Sequence, residues 1–203
     1  MTTDELTRDL GRAFPADPAD LPRLRARLAA AAQRDGILDV AYRTVDSPVG
    51  ALLLAATEAG LVRIAYASED HDTVLQALAD RISPRILNAP GRLEAPAREL
   101  GEYFDGRRRG FDLQLDWRLS AGFRRAVLSQ LPQIGYGRTA SYAALAGLAG
   151  NPKAVRAAAT ACATNPLPIV VPCHRVIYSD GRIGNYLGGP EAKRALLALE
   201  AAA

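Results

Sequence analysis

Residues 139–165, TASYAALAGLAGNPKAVRAAATACATN, carry two short apolar helical patterns that meet at Gly150-Asn151-Pro152. That joint constrains the fold more than any other feature of the chain. Glycine ends a helix easily because it adopts left-handed backbone angles; an asparagine side chain caps the next helix, and proline fits its first position. The spacing therefore predicts one helix closing at Gly150 and another capped by Asn151, the outline of a helix-turn-helix. The second helix has an unusual surface. Val155, Ala157, Ala158, Ala159 and Ala161 are small, and Arg156 is its only charge after Lys153. Such a helix is either tightly buried with one snorkelling arginine, or a smooth face for a nucleic-acid groove with one arginine to insert. Spacing leaves both readings open.

The preceding chain reads differently. Residues 3–33 suggest one or two helices interrupted at FPADPADLP, with Asp20 capping the second and Leu21, Leu24 and Leu28 along one side. VAYRTVDSPVGALLLAATEAGLVRIAYA, from residue 40, reads as strands broken at Ser47-Pro48 and near Glu58. Residues 71–82 predict a helix and 83–91 a loop. Leu93, Ala97, Leu100 and Phe104 fall at helical spacing, and Phe111, Leu113, Leu115 and Trp117 alternate as in an edge strand or extended linker. Ser120 is a candidate cap for a helix carrying Phe123, Val127, Leu128 and Leu131. We set an N-terminal extension at 1–38, an α/β domain at 39–116 and a C-terminal domain at 117–203.

Charge divides at the same place. Residues 1–116 hold 15 Lys+Arg against 19 Asp+Glu, a balance of −4, and residues 117–203 hold 10 against 3, a balance of +7. A basic half is either a solvated face or a partner surface for a polyanion. Two cysteines cannot build a disulfide framework, and no leader-like segment or membrane-length apolar run is evident, so a reducing cytoplasmic compartment is expected.

One of those cysteines sits directly beside one of only two histidines, in IVVPCHRVIYSDGRIGNYLGG. A free cysteine after an apolar run is most often a small core residue. His174, Arg175 and the glycines that follow are poor core material, however. A nucleophilic thiol needs a base or positive charge nearby to form its thiolate. On an extended strand Cys173 and His174 would point to opposite faces, so they can cooperate only if the chain turns or a water bridges them. Glu200 is a candidate to orient the imidazole, since Lys193, Leu197 and Glu200 share one face of a terminal helix. Cys162 and His71 read as core filler and as a solvated residue near a helix start.

NPLPIVVPCHRVIYSDGRIGNYLGG, with its Pro-Cys-His-Arg-Val core, resembles the active-site segment of the O6-alkylguanine-DNA alkyltransferases. The likeness extends through GRTASYAALAGLAGNPKAVRAAA and KRALLALE over residues 111–203. It is looser from residue 41, where YRTVDSPVGALLLAATEAGLVRIAY and LGEYFDGRRRGFDLQLD carry it. The resemblance implies an α/β N-terminal domain, ribonuclease H-like with a small antiparallel sheet and helices. It implies a mostly α, winged helix-turn-helix-like C-terminal domain. The implied activity is direct-reversal DNA repair: Cys173 irreversibly accepts the alkyl group from O6-alkylguanine, or from O4-alkylthymine, flipped out of duplex DNA bound through the minor groove.

By the same resemblance His174, through a water, and Glu200 draw off the thiol proton, and Asn165 holds the turn before the active-site segment. Tyr142 crowds a phosphate and protonates the leaving guanine. Arg156 fills the place of the extruded base, while Lys153, Ala157, Ala159 and Arg175 lie on the DNA-binding side. Val176, Gly184, Tyr186, Leu187 and Lys193 belong to the guanine pocket. No cofactor or metal is implied: some relatives hold zinc through several Cys and His, and this chain has only Cys162, Cys173, His71 and His174. The implied protein is a cytoplasmic, nucleoid-associated monomer.

The residue types suit this chemistry. Displacing guanine from an alkyl carbon needs a soft nucleophile and a proton donor for the departing base. A thioether has no good leaving group, so each molecule should react once. Small residues on the second helix permit close approach without base readout, which suits damage at any sequence. Leu187 departs from the small polar residue of some relatives, and Gly135 stands where proline is common. A DNA-binding regulator switched by alkylation of Cys173, and a Cys–His hydrolase, are the competing readings; sequence preference would mark the first and multiple turnover the second.

Overall fold

The computed structural model describes residues 20–202. The helix expected N-terminal to FPADPADLP lies outside them. Helix α1 (Asp20–Arg34) leads to strands β1 (Val40–Val45), β2 (Leu52–Thr57) and β3 (Gly60–Tyr66), helix α2 (His71–Arg81), strand β4 (Ile86–Asn88) and helix α3 (Glu94–Phe104). These form one sheet in the order β3-β2-β1-β4 with its helices. Strands β1 to β3 are antiparallel, as the turns predicted, but β4 runs parallel to β1, so the sheet is mixed. The loop expected over 83–91 contains this last strand, whose three residues are too few to display a period.

The unbroken apolar run of β2 has a simple cause. Leu52, Leu54 and Ala56 face the core shared with the C-terminal half, while Leu53 and Ala55 face Val74 and Leu78 of α2. Both faces are buried, so alternation with polar residues disappears. In α1 the expected face is wrong. Leu21, Leu24 and Leu28 are exposed and Ala29 and Ala32 are buried, the helix meeting β4 through its smaller residues. Asp20 is itself helical.

The connection over 107–116 is extended and makes one rung with β3: Leu61 N donates to Gln114 O at 2.9 Å and Asp116 N to Leu61 O at 2.8 Å. Beyond it come helix α4 (Gly122–Gln130), strand β5 (Ala140–Ser141), helices α5 (Tyr142–Leu148) and α6 (Val155–Ala163), strand β6 (Val176–Ile177) and helix α7 (Gly189–Ala201). Ala121, not Ser120, precedes α4 at the cap position, and Ser120 is buried. Ser141 caps α5, accepting from Ala144 N at 3.1 Å. The two helices of the predicted motif pack on each other, and α4 packs against α6. Gly150 has the expected left-handed φ of 83°. Helix α6 starts later than predicted, however, after Ala154, because Asn151 first closes a turn, its carbonyl accepting from Ala154 N at 3.0 Å. Among the described residues no helix is long and apolar enough to cross a membrane.

Candidate active site

The apolar segment before Cys173 reads as a strand, but Pro166, Pro168 and Pro172 deprive it of ladder donors. It coils instead into tight turns, with Val171 N donating to Leu167 O at 2.8 Å. Ile169 is held at φ 74° and fully buried. A β-branched residue in the left-handed region costs about 1–3 kcal/mol, so surrounding contacts must over-determine it. Asn165 supplies the main one. Its Nδ2 donates to Val171 O at 2.8 Å and to Cys173 Sγ at 3.1 Å, while its Oδ1 accepts from Leu167 N at 3.0 Å. Because one partner can only accept and another only donate, the amide orientation is fixed.

Cys173 therefore emerges from a pinned turn and opens a single 3-10 turn, Cys173–Arg175. The chain bends where an extended strand would have sent thiol and imidazole to opposite faces. His174 is completely buried and its Nε2 lies 2.8 Å from Glu200 Oε1. Glu200 also accepts from Arg175 Nε at 2.9 Å, Tyr103 Oη at 2.7 Å and Gly137 N at 3.1 Å. Burial acts to raise the Glu200 pKa, but hydrogen bonds from His174 and Arg175 outweigh it and hold the carboxyl down at about 2. Glu200 is thus a carboxylate and can only accept, which puts the imidazole hydrogen on Nε2. Burial keeps His174 below its ordinary pKa despite Glu200, leaving it neutral. Its Nδ1 then carries a lone pair, and that atom is buried without a hydrogen-bond partner. The arrangement is a base with its free nitrogen beside the thiol-bearing residue.

The thiol itself rests protonated. Burial pushes the Cys173 pKa up to about 11, against the lowering effects of Asn165 and the Lys193 ammonium. Lys193 is fully buried, donating from Nζ to Val176 O at 2.6 Å, and burial lowers its own pKa. Cys162, expected as core filler, is buried and close enough to raise its neighbours' pKa values. His71 is only half-buried, and its Nε2 is buried without a partner rather than solvated.

On the outer side, Tyr142, Arg156 and Ala159 line a cavity of about 290 Å³ with Ser141, Val155 and Tyr178. The Tyr142 and Tyr178 rings stand 5.4 Å apart, and burial raises the Tyr142 pKa to about 12. Gly184 lies against Tyr142, where a Cβ would come within 2.7 Å of its hydroxyl.

Two family models divide the chain between them. The DNA-binding domain of 6-O-methylguanine DNA methyltransferase matches residues 122–202, and its ribonuclease-like domain matches residues 40–117. The chain belongs to the 6-O-methylguanine DNA methyltransferase family. A methylated-DNA–protein-cysteine methyltransferase of Mycolicibacterium paratuberculosis is 40% identical over 161 residues, covering 79% of this chain and 92% of the relative. The bifunctional transcriptional activator/DNA repair enzyme Ada of Escherichia coli is 39% identical over 166 residues, 81% of this chain but 46% of that protein. The crystal structure of the Mycobacterium tuberculosis O6-methylguanine methyltransferase superposes with a TM-score of 0.71 at 37% identity, covering 80% of this chain and 93% of that one. A structure of the same relative in complex with DNA gives 0.70.

Among the residues expected in this methyltransferase site, Asn165 bonds Cys173 and Glu200 bonds His174, the two pairs joined through the Cys173–His174 backbone, and Tyr142 and Arg156 share the outer cavity. Lys153, in the turn before α6, and Ala157 on it are exposed, and Ala159 is half-buried. Arg175 is a correction. Expected on the DNA side, it is buried, clamps Glu200 and donates from Nη1 to Ile134 O at 2.6 Å. Leu187 lines a different cavity, of about 380 Å³, with Arg63, Arg124 and Pro166. Three contributors escaped the sequence reading. Tyr66 and Tyr103 lie in the N-terminal segments that carry the looser resemblance, but nothing local assigns either of them to the site. Tyr178, an exposed aromatic in a polar loop, was the one with a usable signal.

Proposed function

We propose that this protein repairs DNA by direct reversal, transferring the alkyl group from O6 of a flipped-out alkylguanine to Cys173, once per molecule. The observation that carries the reading is the unpartnered Nδ1 of His174, an imidazole whose hydrogen on Nε2 is committed to Glu200, on the residue that follows the Asn165-held Cys173. The Cys173 proton passes through a water to His174 Nδ1, and the Glu200 carboxylate stabilises the imidazolium. The Sγ–carbon bond forms as the carbon–O6 bond breaks. Guanine leaves with the electron pair and takes a proton from Tyr142, whose raised pKa keeps it a phenol until then. The imidazolium proton restores Tyr142 through solvent, so the charges balance. The thioether has no path back.

Helix α6 lies in the minor groove by its alanine face, with Ala157 and Ala159 against the sugar edges, Lys153 on phosphate and Arg156 filling the gap left by the base. Val176, Gly184, Tyr186 and Lys193 wall the guanine. Arg175 acts through Glu200. The protein works as a monomer in the cytoplasm, without cofactor or metal.

The test is peptide mass after mixing with a duplex carrying one O6-methylguanine. A gain of one methyl on the Cys173 peptide, saturating at one per protein, is expected, with none in Cys173→Ser. Binding without modification would overturn transfer in favour of a lesion-sensing regulator.

A further inference from the structure

Strand β3 belongs to the N-terminal half, yet its end stands beside the reacting groups. Ile64 N donates to Pro166 O at 2.8 Å, and Arg63 Nη1 lies 3.5 Å from Asn165 O, so the strand grips the turn that holds the thiol. Arg63 also pairs with Glu69, whose other oxygen accepts from Tyr66 N at 2.9 Å. The root of Tyr66 is thereby fixed, and its side chain is almost fully buried.

From that root the ring reaches the glycine-rich loop. Tyr66 Oη lies 2.9 Å from Tyr186 Oη, and the two rings meet edge to face with centroids 5.7 Å apart. The Tyr186 ring also meets the His174 imidazole edge to face, with centroids 6.4 Å apart. Gly188 presses on the Tyr66 ring so closely that a Cβ there would fall 2.5 Å from Cε1. Residues 183–186 have no regular secondary structure, so their place depends on side-chain contacts of this kind.

We infer that Tyr66 is a positioning residue for the lesion pocket: through its hydroxyl bond to Tyr186 and its contact with Gly188 it sets the pocket wall. This rests on the proposed transfer to Cys173. Cys173, His174 and Glu200 are tied by bonds of their own, so loosening the wall weakens capture of guanine and leaves the chemical step intact.

The probe is free O6-benzylguanine, offered without DNA. The rate of Cys173 alkylation against its concentration gives a half-saturation value and a limiting rate; peptide mass gives the fraction of protein that reacts. A neutral hydrogen bond of this kind predicts that Tyr66→Phe raises half-saturation roughly three- to tenfold, with the limiting rate within about twofold. Tyr186→Phe should match it, and the double variant should be no worse than either single one. A merely structural role would lower the reactive fraction, which is expected to stay complete. Wild-type kinetics in Tyr66→Phe, or a loss confined to the limiting rate or the reactive fraction, would overturn the inference alone. Failure of the unsubstituted protein to be alkylated by both this base and the lesion duplex would overturn the transfer reading, and this one with it.

Discussion

At the scale of single residues, the site keeps its nucleophile dormant. With a pKa near 11 and almost no exposure, Cys173 should react slowly with iodoacetamide at neutral pH. The rate should climb about tenfold per pH unit toward a plateau above the thiol pKa, as thiolate chemistry requires. A plateau already reached at pH 8 would mean that Lys193 and Asn165 outweigh burial. Arg156 has a separate signature: Arg156→Ala should slow transfer from duplex DNA far more than from the free base, because only the duplex needs a gap filled. Equal losses on both substrates would remove its role in flipping. The Glu200 cluster makes a prediction about acid. His174 and Glu200 are both held below their unfolded values, so their stabilisation is complete above pH ~6.5 and is lost as pH falls. For Glu200 alone the loss approaches roughly 2–4 kcal/mol on the way to pH 2. Urea midpoints across pH 7 to 3 should trace it. Glu200→Gln should be weaker at pH 7, leaving Arg175 buried without its counter-charge, but should show a shallower pH slope.

Elements differ in how openly their sequences declare them. Helix α3 shows its period because one partner surface covers its predicted face, whereas strand β2, buried on both faces, is declared by its apolar run and the turns that bound it. Strand β4 is too short for a period, and the run before Cys173 looks like a strand until its three prolines are counted as missing donors. The leucine face of α1 misled for another reason: pattern marks an apolar stripe, while packing chose the alanines that let the helix approach β4. The pairs Asn165–Cys173 and His174–Glu200 were legible because the motif around Cys173 and the helical face that carries Glu200 are each local patterns. Arg175 was not, since nothing local distinguishes an arginine aimed at phosphate from one aimed at a buried carboxylate 25 residues away. Two glycines separate local strain from long-range consequence. Gly150 and Gly137 both have positive φ, but a Cβ at Gly150 meets nothing, whereas at Gly137 it would lie 2.9 Å from Glu200 O. Alanine at 150 should cost about 1 kcal/mol and spare transfer, while alanine at 137 should cost more and slow transfer by moving Glu200. Thermal melts and single-turnover rates on both variants decide it; equal rates would break the link between the turn and the carboxylate.

Across the whole molecule, charge and contact serve different ends. The excess of positive charge lies in the C-terminal half, so affinity for undamaged duplex should fall with rising salt as counterions are released. A salt-independent affinity would leave that excess without a role. The N-terminal half contributes through touch: Tyr103 reaches Glu200, and β3 reaches both Asn165 and Tyr186. None of these was visible in sequence, because each joins residues about a hundred positions apart. The contact between Gly188 and Tyr66 also has a bearing on descent. With no room for even one carbon between them, the two positions cannot drift separately. A lineage that gains a side chain at 188 has to shrink the residue at 66 first or at the same time, so substitution histories should record the two as a single inherited character divided between two halves of the gene.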